Sequence, residues 1–314
     1  MRILLFVFTL IACCAWAQKT HYVAITIDDV PLTSWPDETP LKIKRAANEK
    51  LLNVFISRKI PVALFINEST LTGKEQAERI AVLKQWLDHP LVTAGNHSYS
   101  HANFNTSTRS EFEEQIVKGE VITKELLKKT GKPLKYFRFP FNATGKDSAS
   151  RAAMEVFLMK KGYISVPYTI ESQDYLFNSL YQQALDNHDQ DKADGIGKAY
   201  IAHTLTVFDY FESFSQRHYG RSIAQIYLCH DNQLNADYME TLLKEIGKKN
   251  YQCKSLEEVL EDTIYKQTDY YAGEYGFSWV YRWEKNVATR KQMMRAEPEL
   301  DKKLQEEYEL SINN

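Results

Sequence analysis

From Tyr22 onward, short β-branched runs alternate with longer helical stretches, and that rhythm leaves few folds open. Residues 23–27, 61–66, 91–94, 136–139, 163–166 and 223–228 read as strands. The intervening segments read as helices. Thr39 and Pro40 look like an N-cap and a first-turn proline opening a helix to Arg58, and 74–87 follows the next strand. Ser110 with Glu113 has the spacing of a capping box for a helix running to Lys129, and Gly162 stops a helix over 148–161. Helices over 236–249 and 255–260 complete the pattern. The class is therefore α/β with parallel pairing. Residues 178–220 interrupt the rhythm with two consecutive helices, a helical insertion, and the charged end, 297–314, reads as a peripheral helix.

The first residues belong to a different category. Arg2, an apolar run over 4–12 and Ala15-Trp16-Ala17 make an export signal over 1–17, which predicts a periplasmic or secreted protein. Leu10-Ile11-Ala12-Cys13 keeps open a second outcome, a lipoprotein anchored through Cys13. The run is short of the roughly 20 apolar residues a spanning helix needs, and no other stretch approaches that length. With 39 Lys+Arg against 41 Asp+Glu the net charge is −2, which gives nucleic acid no electrostatic footprint. An apolar share of 44% and a charged share of 25% exclude disorder. Beyond the signal only Cys229 and Cys253 remain, either paired or, the preferred state, as free thiols.

The chemistry-bearing residues collect where the strands end, the rim on which α/β barrels carry their sites. Asp28 and Asp29 stand side by side after the first strand; adjacent carboxylates repel unless a cation or an arginine relieves them, and an aspartate-capped turn is the plain alternative. His97 and His101, four apart, can converge on one ion. With one carboxylate they form a His-His-Asp set with positions left for water, the pattern of a catalytic site and not of a closed structural one. Arg138 lies in an apolar frame, Phe137 to Phe141, and needs a buried partner, for which either aspartate serves. Asp174 is open between orienting a histidine and capping a helix, and His230 ends the 223–228 strand at the same rim. His21, His89, His188, His203 and His218 have no partner pattern. There is no Gly-x-Ser-x-Gly elbow to supply a serine nucleophile. The aromatic run over 207–214 reads as packing.

Taken in order, Thr-x-Asp-Asp at 26–29, His-x-x-x-His at 97–101, Arg-x-Pro-Phe at 138–141, Asp174 beside Tyr175, and Leu-x-His at 228–230 resemble the polysaccharide deacetylase family, carbohydrate esterase family four. The resemblance covers roughly Tyr22 to Leu260. It implies a distorted (β/α) barrel over 21–262, followed by a C-terminal extension, 263–314, packing on or beside it. It also implies removal of acetyl groups from N-acetylated, less often O-acetylated, carbohydrate with Zn²⁺ or a similar ion such as Co²⁺. Carried over by residue, Asp28 is the general base, and Asp29, His97 and His101 hold the metal. Arg138 holds the base, and His230 is the general acid, tuned by Asp174. Leu228 lines the slot for the acetyl methyl, and the Phe141 backbone N–H is an oxyanion donor. Three positions depart from the family pattern: Val30-Pro31 and Asn142 stand where glycines are common, and Tyr175 replaces a tryptophan. Asn142 and Tyr175 fall at the substrate pocket with Phe141 and Leu228, so these departures bear on the substrate. Two rivals follow: a same-fold hydrolase of a non-peptide C–N bond in a small amide, and a barrel that binds glycans without catalysis.

Overall fold

The computed structural model describes residues 20–32, 35 and 38–312; the expected export signal, 1–17, and Cys13 lie outside them. In chain order the elements are β1 (His21–Val30), α1 (Leu41–Arg58), β2 (Val62–Ile66), α2 (Gln76–Leu87), β3 (Val92–Asn96), α3 (Arg109–Lys118) and α4 (Val121–Leu127). Then come β4 (Tyr136–Phe137), α5 (Ser148–Lys160), β5 (Ile164–Ser165), β6 (Ile170–Glu171), α6 (Asp174–Asp186) and α7 (Gln190–Tyr219). The chain closes with β7 (Gln225–His230), α8 (Gln233–Lys248), β8 (Tyr251–Cys253), α9 (Leu256–Leu260), α10 (Trp279–Arg282), α11 (Val287–Arg295) and α12 (Lys302–Ile312).

The strands form one sheet in the order β5-β4-β3-β2-β1-β7-β6, with β8 paired to the start of β1. Every pairing is parallel, as crossover helices demand. β1 is the axis. It pairs with β2 on one side and β7 on the other, and the side chains of Val23–Val30 are all buried. A strand buried on both faces reads as a continuous apolar run, and β2, Val-Ala-Leu-Phe-Ile, shows the same property. The helices pack around this sheet, giving the distorted, open (β/α) barrel expected from the sequence. The insertion is α6 and α7, with no strand between them, and Phe208, Phe211 and Phe214 of α7 are buried packing.

β5 and β6 are the two ends of the strand order, so the barrel has a seam between them. Main-chain pairing does not close it. On one side Arg138 Nη2 donates to Pro167 O at 3.2 Å. On the other, Ser278 Oγ donates to Thr169 O at 2.7 Å and Trp279 N to Tyr168 O at 3.1 Å, with the Trp279 ring edge-on to Tyr168.

Some local expectations fail for identifiable reasons. Thr39 makes no cap; α1 starts behind Pro40 without a side-chain acceptor. The capping box lies two residues earlier than read, on Thr108 and Glu111, not Ser110 and Glu113. The helix expected to reach Lys129 breaks at Gly119 into α3 and α4. A β-carbon at Gly119 would lie 2.7 Å from the backbone at Ser98 and Tyr99, so the break lets the chain pass against the loop that carries the histidines. Strands β6 and β8, two and three residues long, are not among the strands read from the sequence. Cys229 is buried and Cys253 half-buried, and both are free thiols.

Candidate active site

Period-two alternation along β1 sends Thr26 and Asp28 to one face. Arg138 Nη1 donates to both, at 2.7 Å to Thr26 Oγ1 and 2.7 Å to Asp28 Oδ1. The guanidinium is fully buried and lies over the Phe65 ring at 4.1 Å; Nη1 and Nη2 are partnered, while the buried Nε has no acceptor among the described residues. Asp29 should face away by alternation. Instead its backbone is left-handed, φ 65°, and the register of β1 against β2 slips between Ile27 and Val30. Such an irregularity re-aims a side chain, and it brings two consecutive carboxylates to one rim.

The loop after β3 supplies the other half. His101 Nε2 lies 3.3 Å from Asp29 Oδ1, and His97 Nε2 lies 3.8 Å from both Asp29 Oδ1 and Asp28 Oδ2. Ligand atoms of Asp29, His97 and His101 all fall within 4.8 Å of one another. His97 Nδ1 is 2.8 Å from Arg138 O, an atom that only accepts, so Nδ1 carries the hydrogen and Nε2 keeps its lone pair toward the cluster. Burial pushes the His97 ring down to about 4, against the pull of Asp28 and Asp29, so it is neutral near pH 7, as a ligand must be. One carboxylate and two imidazoles fit zinc or a similar divalent ion. His101 holds φ 56° and Ser98 φ 67°, and left-handed backbone recurs at Phe141 (φ 56°) and Asn142 (φ 52°). Asn is the non-glycine residue that takes this conformation most readily, which explains Asn142 where glycine is common.

Across the cavity the chemistry reverses. Asp174, fully buried in the first turn of α6, accepts from His230 Nδ1 at 2.7 Å and from His230 N at 2.8 Å. Asn235 Nδ2, at 2.5 Å, and Asn232 Nδ2, at 3.1 Å, hold the same carboxylate. Burial opposes a charge on His230. The Asp174 carboxylate outweighs it by charge and hydrogen bond, with Asp29 and Asp28 behind it, and pushes the ring up to about 10. Asp174 itself is lowered: burial works against its charge, but His230 and the amide donors win.

Both halves open on a cavity of about 490 Å³. Asp28, Asp29, His97, His101 and His230 line it, as do Phe141, Asn142, Tyr175 and Leu228; Arg138 and Asp174 stand behind it as partners of lining residues. Every site residue read from the sequence is thus brought to one place. Three lining residues escaped that reading: Tyr168, Glu171 and Gly276. Glu171 pairs in register with Leu228, and burial together with Asp174 pushes its carboxyl up to about 7. Its spacing from Asp174 was a usable signal. Tyr168 and Gly276 carried none, since one sits in the barrel seam and the other reaches the rim from the C-terminal extension.

Residues 17–156 match the family model described as polysaccharide deacetylase. That stretch is similar to the polysaccharide deacetylase family. The match ends inside α5, before the elements that carry Asp174 and His230. Among solved structures, the chitin deacetylase of the fungal pathogen Colletotrichum lindemuthianum is similar at TM-score 0.52 and 18% identity, over 78% of this chain and 89% of that one. A mutant of a CE4-family pseudoenzyme, from Bacillus anthracis, is similar at TM-score 0.51 and 14% identity, over 78% and 68%. At these identities the likeness is one of fold. None of the curated proteins matches the sequence.

Proposed function

We propose that this chain is a divalent-cation-dependent hydrolase that removes acetyl groups from carbohydrate, N-acetylated in preference to O-acetylated. The observation that carries it is the meeting of three units on one cavity: Asp28 with Arg138, the Asp29–His97–His101 cluster, and His230 with Asp174. A cation held by Asp29, His97 and His101 supplies the Lewis acidity that activates water and an amide carbonyl. Arg138 grips one oxygen of Asp28 and leaves Oδ2 to take the proton of the attacking water. The Phe141 N–H is the backbone donor for the developing oxyanion. His230, protonated at neutral pH, passes its Nε2 proton to the amine nitrogen as the C–N bond breaks, giving acetate and a free amine. Each positioned proton transfer contributes about 10²–10⁴-fold. Leu228 lines the slot for the acetyl methyl, with Tyr175, Asn142 and Phe141 around the sugar.

Acetate release from acetylated chitooligosaccharides, peptidoglycan fragments and acetylxylan tests this reading. Activity should vanish in chelator and return with Zn²⁺ or Co²⁺; turnover unchanged by chelation rejects the metal role. A cation-loaded protein that frees no acetate from any of them revives the small-amide hydrolase and the non-catalytic glycan binder. We also propose export, with cleavage after Ala17. Mass measurement of the mature N-terminus separates that from acylation at Cys13.

A further inference from the structure

Behind the Phe141 wall of the cavity runs a segment that the chemistry above does not use. Residues 273–279 cross the rim from the loop after His101 to the barrel seam. Asn105 Nδ2 holds the near end, donating to Gly273 O and Glu274 O at 3.0 Å each, and Gly273 N donates to Gly145 O at 3.1 Å. The far end is tied to the seam through Ser278 and Trp279. Between these anchors Gly276 lies flat on the wall. A β-carbon there would overlap the Phe141 carbonyl oxygen and lie 2.7 Å from Asn142 Cβ, so at Gly276 the strap is in backbone contact with the wall. Just past the strap, the buried guanidinium of Arg282 pairs with Asp269 at 2.5 Å and lies 4.0 Å over the Trp279 ring, which locks the crossing. The other aromatic wall is backed by the same extension. Tyr175, half exposed, meets the Tyr308 ring of α12 at 6.4 Å.

A polymer threading past the reaction centre needs two exits from its groove, and a closed wall removes one. We propose that the 273–279 strap makes this cavity blind on its Phe141 side, so that it accepts an acetylated sugar only in a short oligosaccharide or at a chain end. The inference rests on the deacetylase reading and adds the substrate's length to it.

The test uses the full-length, cation-loaded protein with the N-acetylated chitin disaccharide, trisaccharide and hexasaccharide and with soluble, partly acetylated chitosan. Acetate release per acetyl group should fall with chain length, and mass spectra of the hexasaccharide product should show loss at one terminal unit. Asn105→Ala and Ser278→Ala each loosen an anchor outside the cavity. Either should raise the polymer-to-disaccharide rate ratio by about tenfold, with the disaccharide rate little changed. In parallel, calorimetric binding of the same ladder to Asp28→Asn should show affinity that stops rising at the trisaccharide. Internal acetyl loss at the terminal rate, or affinity that climbs through the hexasaccharide, overturns the blind wall. A binding plateau without acetate release sinks the deacetylase reading and leaves the wall standing; neither binding nor release sinks both.

Discussion

His97 and His230 face one cavity, and their environments drive them to opposite states. Both are shielded from water, which disfavours a charged imidazole. The difference lies at Nδ1. His97 meets a peptide carbonyl and is left neutral, with its Nε2 pair turned to Asp29 and His101. His230 meets a buried carboxylate and is held as a cation, with a proton to give. In the proposed chemistry the same side chain serves as a ligand on one wall and an acid on the other, and the acceptor at Nδ1 makes the distinction.

Four substitutions probe that contrast. His97→Ala should have the largest effect, taking bound zinc to background and turnover down by about 10⁴-fold or more; zinc retained at full stoichiometry would break the contrast at once. His230→Gln should keep its zinc while turnover falls by about 10³-fold, read by metal analysis beside acetate release. Asp174→Asn replaces the acceptor that sets the difference. Turnover should drop by about 10²-fold, and the alkaline limb of the pH profile should move to lower pH as His230 loses its counter-charge. The sign for stability follows from the raised folded value. The pair's contribution is complete below the unfolded histidine value, about 6.5, and is lost as pH rises through about 10. Urea unfolding of the wild type and Asp174→Asn should therefore differ most in mildly acid buffer and converge toward pH 10. Asn235→Ala removes the amide donor to Asp174 Oδ2 and His230 O, so it should cost the least, about tenfold in turnover with the zinc content unmoved. An equal loss of zinc in that variant would mean that the two walls are not independent.

The two walls also differ in how far they could be read in advance. The ligand wall is local: Asp28-Asp29 and His97-x-x-x-His101 each lie within five residues, and the alternation of strands and helices puts both at strand ends. On the acid wall, His230 and Asp174 are 56 residues apart. The placement of α6 and α7 beside β7 brings them together. Helix boundaries such as Thr108 with Glu111 slipped by two residues because neighbouring residues offered an equally good cap. β6 was not read as a strand, and with it went the register that sets Glu171 beside Leu228.

The order of residue types along the chain was enough to indicate the class of fold, the family resemblance and the chemical identities of the groups at the rim, since hydrophobic period and short motifs are local properties. Folding in three dimensions decided what those groups do. The left-handed turn at Asp29, the choice of carbonyl or carboxylate at each histidine, and the crossing of Gly276 over Phe141 all depend on contacts between segments far apart in sequence. Protonation state and cavity shape are set by burial and by partner, and neither exists until the chain has packed.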